Sequence, residues 1–268
     1  MPLLAIPQPF DFEVSTERFR AFGLDVANLW HEGGLHRVVG GREVRIEAAP
    51  GGVLVEPLDA AIEAEVSVLL GLPFDLDAFY RGASDPTVVD LISRLEGFRP
   101  PLAPRPFESL VTSITAQQVS LFAAFAIRNR MIERYGARGE HAHEFPTREA
   151  MAAADEEELY SLGFSRRKAE YVVGLAQSDL DLDALSELPD EEVKARITSL
   201  RGLGDWTADW FLARHLARPR AWAPGDLGVR KAVRFFYGDE DVHAVAERFD
   251  PFQNLSVHYL LTGARLFG

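Results

Sequence analysis

The chain has 268 residues, 47% of them hydrophobic, which is enough for one large domain or two of modest size. It has no cysteine, so disulfides, zinc–thiolate centres, iron–sulfur clusters and thiol nucleophiles are excluded. Forty-one acidic against 28 basic residues give a formal charge of −13, which weighs against a polyanionic partner unless the binding face is locally neutral or basic.

The first residues, MPLLAIPQPFDFE, lack a basic region and a sustained apolar core. No signal peptide is read there, no apolar run is long enough for a bilayer, and a cytoplasmic, nucleoid-associated protein is expected. HRVVGG, REVRIEAAP and GGVLVEPL are β-rich runs punctuated by turns at Gly40-Gly41 and Gly51-Gly52. Ala60–Leu70 then reads as a helix with Ile62, Val66, Leu69 and Leu70 on one face. Gly97–Pro106, with four prolines, is a natural connection.

The rest reads as helices: Phe107–Tyr135 as one or two, then Arg148–Leu162, Arg166–Gln177, Asp190–Leu200, Trp206–Ala217, Leu227–Tyr237 and Asn254–Leu266. The expected fold is therefore α+β. A small antiparallel-sheet domain spans 1–96 and an all-helical domain spans 97–268. His141 and His143 sit in the polar stretch ARGEHAHEF, read as a solvated loop rather than as metal ligands.

Two stretches carry chemistry. In Arg201-Gly202-Leu203-Gly204, two glycines one residue apart separate two helices. They let the main chain approach a charged partner, and the amides at the turn and the new helix N-terminus form an anion site. Taken alone, the motif reads first as an ordinary helical corner with a glycine cap. Some twenty residues on, Trp222-Ala223-Pro224-Gly225-Asp226 opens the next helix. Asp226 is placed as an N-cap, a structural role, and the same placement suits a carboxylate that stabilises positive charge building on a sugar. Asp205 is a rival explained by the first turn of its helix, and Asp209 a rival explained by an exposed helix face.

Gly202-x-Gly204-x-Trp206-Thr207-Ala208 followed by Pro224-Gly225-Asp226 resembles the helix-hairpin-helix (HhH-GPD) DNA glycosylase superfamily, and within it the DNA-3-methyladenine glycosylase II branch. Ile114–Ser120 is similar to the family's lesion-probing segment, and Leu162–Ala169 to the connection that precedes the hairpin. The resemblance implies that Asp226 is catalytic and that Trp206, Trp210, Leu227 and Leu261 form the base pocket. Gln118 would be the DNA wedge, and Gly202, Gly204 and Thr207 would offer amides to a phosphate. Main-chain carbonyls of Thr198, Leu200 and Leu203 would hold a monovalent cation, Na+ or K+; no other cofactor is required.

Bifunctional members place a Schiff-base lysine where this chain has Trp206, so base excision without strand cleavage is implied, on double-stranded DNA containing damaged bases and by a monomer. Leu227 and Leu261 stand where the family can carry aromatic residues, and Gln253 where arginine is frequent, which bears on substrate range. Read from the residues alone, Trp206 and Trp210 are core and Gln118 a surface residue. Three other readings stay open: a sister glycosylase for oxidised, deaminated or mismatched bases, a non-catalytic hairpin DNA-binding protein, and a helical scaffold for protein partners. Arg166, Arg167, Lys168 and Arg230 are the candidate basic face. Whether His258 or Tyr259 supplies an acid is not decided by sequence.

Overall fold

The β-rich runs near the N-terminus form one antiparallel sheet in a computed structural model that describes residues 1–268. Its strands are β1 (Leu3–Ala5), β2 (Leu29–His31), β3 (Gly34–Val39), β4 (Arg42–Ala49) and β5 (Gly52–Glu56), in the order β1-β5-β4-β3-β2. At Gly40-Gly41 φ is 56° and 75°, the left-handed pair that a two-residue hairpin between right-twisted strands needs. Register places Leu35 opposite Ile46 and Arg37 opposite Val44, so these four share one face. His36, Val38, Glu43 and Arg45 share the other.

Fifteen α-helices complete the chain. α1 (Phe12–Thr16) and α2 (Arg18–Ala21) lie between β1 and β2. After the sheet come α3 (Ala60–Leu69), α4 (Leu76–Gly82), α5 (Pro86–Arg94), α6 (Pro106–Ala116) and α7 (Leu121–Tyr135). Then follow α8 (Arg148–Ala152), α9 (Glu156–Ser161), α10 (Arg166–Gln177), α11 (Asp190–Thr198) and α12 (Asp205–Arg214). The last three are α13 (Leu227–Tyr237), α14 (Val242–Glu247) and α15 (Gln253–Phe267). The expected α+β class is borne out and each expected helix is present, but α1, α2, α4, α5 and α14 were not expected. Two long segments are divided: Phe107–Tyr135 at Gln117–Ser120, and Arg148–Leu162 before Asp155, which caps α9.

The apolar interior forms two clusters. One joins the inner face of the sheet to α1 and α3, from Leu4 to Leu70. The other contains Val26 and Ala27 and then runs from Phe74 to Leu260. Residues 74–95 therefore pack with the helical body, and the expected boundary at 96/97 falls inside the second cluster. The reason is tertiary: α5 lies on α15, where Gly263 leaves room for the Leu91 side chain.

Buried charge docks the two bodies. Arg37 leaves the inner face of the sheet to meet Glu108 in the first turn of α6 at 2.6 Å, and Glu65 at 2.8 Å. Arg128 from α7 reaches Glu108 at 3.0 Å and Asp25 at 2.7 Å. Burial alone would raise Glu108 and Asp25, but the guanidiniums hold both below the ordinary carboxylate range. Removing one partner of such a buried pair costs about 3–5 kcal/mol, because a charge is left uncompensated.

The 137–144 loop is solvated over Ala137, Arg138, Glu140 and His141, as expected, but is also anchored to the sheet, with Ala142 buried. Arg138 bridges His143, and Glu43 accepts hydrogen bonds from the amides of His141 and Ala142 at 2.8 and 3.2 Å. No helix is long and apolar enough to cross a membrane.

Candidate active site

The hairpin between α11 and α12 is shaped by its glycines for two different reasons. Gly202 takes φ 86°, and a Cβ there would run into the ring of Tyr171 on α10. Its carbonyl accepts a hydrogen bond from Gln117 Nε2 at 2.9 Å, which ties the α6–α7 loop to the hairpin. Leu203 is buried and locks the corner. Gly204 is exposed, with open space where a Cβ would stand.

The amides of Gly202, Gly204, Asp205 and Trp206 have no intramolecular acceptor, so the start of α12 presents free donors outward. Thr207 departs from the expectation. Its N–H already donates to the Gly204 carbonyl at 2.9 Å, and the residue is buried. Asp205 and Trp206 supply the outward amides instead. The carbonyls of Thr198 and Leu203 accept no hydrogen bond, and that of Leu200 accepts one, from Leu203 N–H.

Asp226 caps its helix, as its sequence position allowed, and has its second oxygen held by a separate pair of donors. Oδ1 caps α13 by accepting from Val229 N–H at 2.9 Å. Oδ2 accepts from the indole Nε1 of Trp206 at 2.8 Å and of Trp210 at 3.1 Å. Three donors on two helices thus fix the carboxylate. Gly228 keeps the space beside it open, since a Cβ there would lie 2.9 Å from Oδ1.

Asp226, Trp206, Trp210 and Leu261 line one cavity of about 560 Å³ between the helical body and the N-terminal segment. Leu227 does not line it: it is 66% exposed, because the first turn of α13 turns it away from the cavity that Gly228 faces. Gln118 sits at φ 56°, exposed, in the loop between α6 and α7. Ala116 and Leu121 on either side line the cavity, so this loop forms part of its rim. Phe122, 63% exposed, extends the same rim with an apolar surface.

The cavity holds charge that sequence reasoning missed. Arg18, Arg214 and Arg265 line it, and Arg214 lies over the Trp210 ring at 3.7 Å from the centroid. Burial and the neighbouring Arg18 push the Arg214 guanidinium well below its usual range. Burial and Arg265 bring Arg18 down to about 10. Arg265 pairs with Glu17, while the Nε atoms of Arg214 and Arg265 have no partner. Arg214 stands four residues after Trp210, and Arg265 four after Leu261, so the helical period did carry a signal. Lys231, one turn into α13, is also on the cavity wall.

Several expected roles move. Lys168 is buried, and its Nζ donates to the Thr115 carbonyl at 2.8 Å near the end of α6, so it is not on a basic face. Arg166 pairs with Glu157, while Arg167 and Arg230 are exposed and unpaired. Asp209 is buried and paired with Lys194 at 2.6 Å, not exposed. Burial nonetheless leaves its carboxyl above the ordinary range. The Tyr259 hydroxyl donates to the Phe98 carbonyl at 2.9 Å, and His258 packs against Trp210 and Phe74. Neither lines the cavity.

Residues 111–253, more than half of the chain, match the family described as HhH-GPD superfamily base excision DNA repair protein. The chain belongs to this superfamily. The match spans the hairpin, Asp226 and the α6–α7 loop. Escherichia coli DNA-3-methyladenine glycosylase 2 is 28% identical over 218 residues, 77% of this chain and 73% of that one. A DNA-3-methyladenine glycosylase of Bacillus subtilis is 27% identical over 169 residues, 60% of this chain, which spans 56% of its length. A 3-methyladenine DNA glycosylase from Archaeoglobus fulgidus superposes over 100% of both chains with a TM-score of 0.88 at 29% identity. Superfamily membership agrees with the resemblance read from the hairpin and the Pro224-Gly225-Asp226 turn.

Proposed function

We propose that this protein is a monofunctional DNA glycosylase that flips alkylated bases of the 3-methyladenine type out of double-stranded DNA and hydrolyses their N-glycosidic bond. The observation that carries the reading is Asp226: one oxygen caps a helix, and the other is held by two indole N–H groups at a cavity wall. The names of the Escherichia coli, Bacillus and Archaeoglobus relatives support the substrate class. The enzyme would act as a cytosolic monomer.

In this reading the free amides of Gly202, Gly204, Asp205 and Trp206 grip a phosphate beside the lesion. The carbonyls of Thr198 and Leu203, free of partners, and the second lone pair of Leu200 suit a Na+ or K+ ion, which would add positive charge next to that phosphate. The nucleotide rotates into the cavity and Gln118 fills the gap, with Phe122 beside it; extrusion costs roughly a few kcal/mol, less for a damaged pair. As the base leaves, the sugar becomes an oxocarbenium-like cation, which the fixed Asp226 carboxylate stabilises. Water then attacks the sugar, because Trp206 offers no amine.

A second reading has its own support. Of the four arginines that line the cavity, Arg128 is paired with Asp25 and Glu108 and Arg265 with Glu17; Arg18 and Arg214 carry no ion pair and disfavour a cationic base such as 3-methyladenine or 7-methylguanine, and the unpartnered Nε of Arg214 is a donor suited to a neutral, acceptor-rich base. That favours lesions such as 1,N6-ethenoadenine or hypoxanthine within the same mechanism. The test is a base-release assay on duplexes carrying 3-methyladenine, 7-methylguanine, ethenoadenine, hypoxanthine or 8-oxoguanine. Release of the cationic purines supports the first reading, and release of the neutral bases alone supports the second. Release of none of them would remove the glycosylase assignment.

A further inference from the structure

The outer face of the sheet carries a histidine cluster remote from the Asp226 cavity. His31 on β2, His36 on β3 and Glu43 on β4 share that face: Leu29 opposes His36, His36 opposes Arg45, and the two-residue side-chain period does the rest. The 137–144 loop, between α7 and α8, lays His141 over them. Ring centroids are 4.5 Å apart for His31 and His141, 5.0 Å for His36 and His141, and 5.7 Å for His31 and His36. Three imidazoles on one tetrahedral ion, with metal–nitrogen bonds of about 2.0–2.1 Å, place their centroids about 5 Å apart. One nitrogen each of His36 and His141 and one oxygen of Glu43 already lie within 4.8 Å of one another.

A second observation is independent of that spacing. The His36 side chain is only 4% exposed, and its Nε2 has no hydrogen-bond partner. Buried polar atoms are nearly always satisfied, so an orphaned ring nitrogen calls for a partner that is not a protein group. Glu43 accepts from His36 Nδ1 at 2.7 Å, which leaves the free lone pair on Nε2. A carboxylate on the far nitrogen is also what orients and strengthens a metal-binding imidazole.

We propose that this face binds one divalent transition-metal ion of the zinc class, through His31, His36 and His141 with Glu43 as the adjoining carboxylate. Imidazole donors suit zinc, copper and nickel, whereas magnesium and calcium prefer all-oxygen sites. His31 and His141 are 40% and 35% exposed, so an ion has a way in and the two rings have room to close on it. None of the four residues lines the Asp226 cavity. The ion would instead fasten the 137–144 loop to three strands and so tie the sheet to the helical body.

The test uses the full-length chain freed of metal with EDTA and titrated with zinc by calorimetry, with thermal unfolding followed with and without zinc. The expected result is one zinc per chain and a melting temperature that rises with zinc. In His31→Ala and His141→Ala, both at partly exposed positions, affinity should fall tenfold or more and the zinc-dependent rise should vanish, while the metal-free melting temperature stays near that of wild type. Cobalt substituted for zinc should give the visible absorption of a four-coordinate site in wild type only. Absence of saturable zinc binding would overturn the proposal. So would binding of equal strength in both variants, which would place the ion on His143, His215, His243 or His258.

Discussion

Gly202 and Gly204 stand two residues apart and answer to different constraints. Gly202 is required by the fold, because φ 86° and the Tyr171 ring both exclude a side chain. Gly204 has open space beside it, so beyond the modest cost of alanine at the N-cap of α12, a penalty for a Cβ there must come from a ligand. Gly202→Ala should therefore destabilise the protein by roughly 1–3 kcal/mol in urea unfolding. Gly204→Ala should lose no more than about 1 kcal/mol, the scale of an N-cap change, and bind lesion-containing duplex more weakly; equal binding would make the turn a structural corner only. The chain has only three lysines, which makes a second test clean. Lys168 is buried against Thr115, Lys194 is paired with Asp209, and Lys231 alone lines the cavity. Borohydride should trap no covalent adduct between the wild-type enzyme and DNA. An adduct that disappears in Lys231→Ala would make Lys231 a nucleophile and refute the monofunctional reading.

Helices were legible in the sequence where caps and periodicity agreed, as in α10 and α13, each opened by a side chain that accepts from its own first turn. The break between α6 and α7 was not legible. Gln118 adopts a left-handed conformation without being glycine, and Gln117 is held from outside by the hairpin. The boundary between the bodies was hidden for a similar reason, since α5 belongs with α15 only through contacts far apart in sequence. Asp226 and the two indoles could be named from their spacing. Of the cavity arginines, Arg214 and Arg265 follow Trp210 and Leu261 by one helical turn, but Arg18 on α2 and Arg128 on α7 join them only through the fold.

α15 also carries a pH dependence. Burial, then Arg214 and Arg18, hold the His258 imidazole well below its ordinary range. The folded state keeps this imidazole neutral while the unfolded chain takes up a proton below about pH 6.5. Its contribution to stability is thus present above that pH and lost as pH falls further. Melting temperature should drop between pH 7 and pH 5, and His258→Phe should flatten the drop, leaving the part due to His215, which burial also lowers. Parallel pH profiles for the two proteins would contradict this assignment.

Across the whole molecule, the charge of −13 has a structural explanation in part. Seven aspartates, at positions 11, 59, 75, 85, 155, 226 and 241, cap helices with their side chains, a use worth about 1 kcal/mol each. Of the four basic residues named from the sequence, Arg166 is paired and Lys168 is buried, so Arg167 and Arg230 remain for phosphate. Binding to damaged duplex should therefore weaken only gently with salt, by a log–log slope of about −0.9 per phosphate contacted. Arg230→Ala and Arg167→Ala should reduce that slope, and Lys168→Ala should not; a loss confined to Lys168→Ala would reverse the assignment. The central claim is that Asp226 stabilises the departing base's sugar cation. It is tested most directly by single-turnover base release from a good substrate, measured beside duplex affinity, for wild type and Asp226→Asn. The expected result is affinity within a few-fold of wild type and a release rate lower by roughly 10³-fold or more. Release near the wild-type rate at saturating enzyme would contradict it.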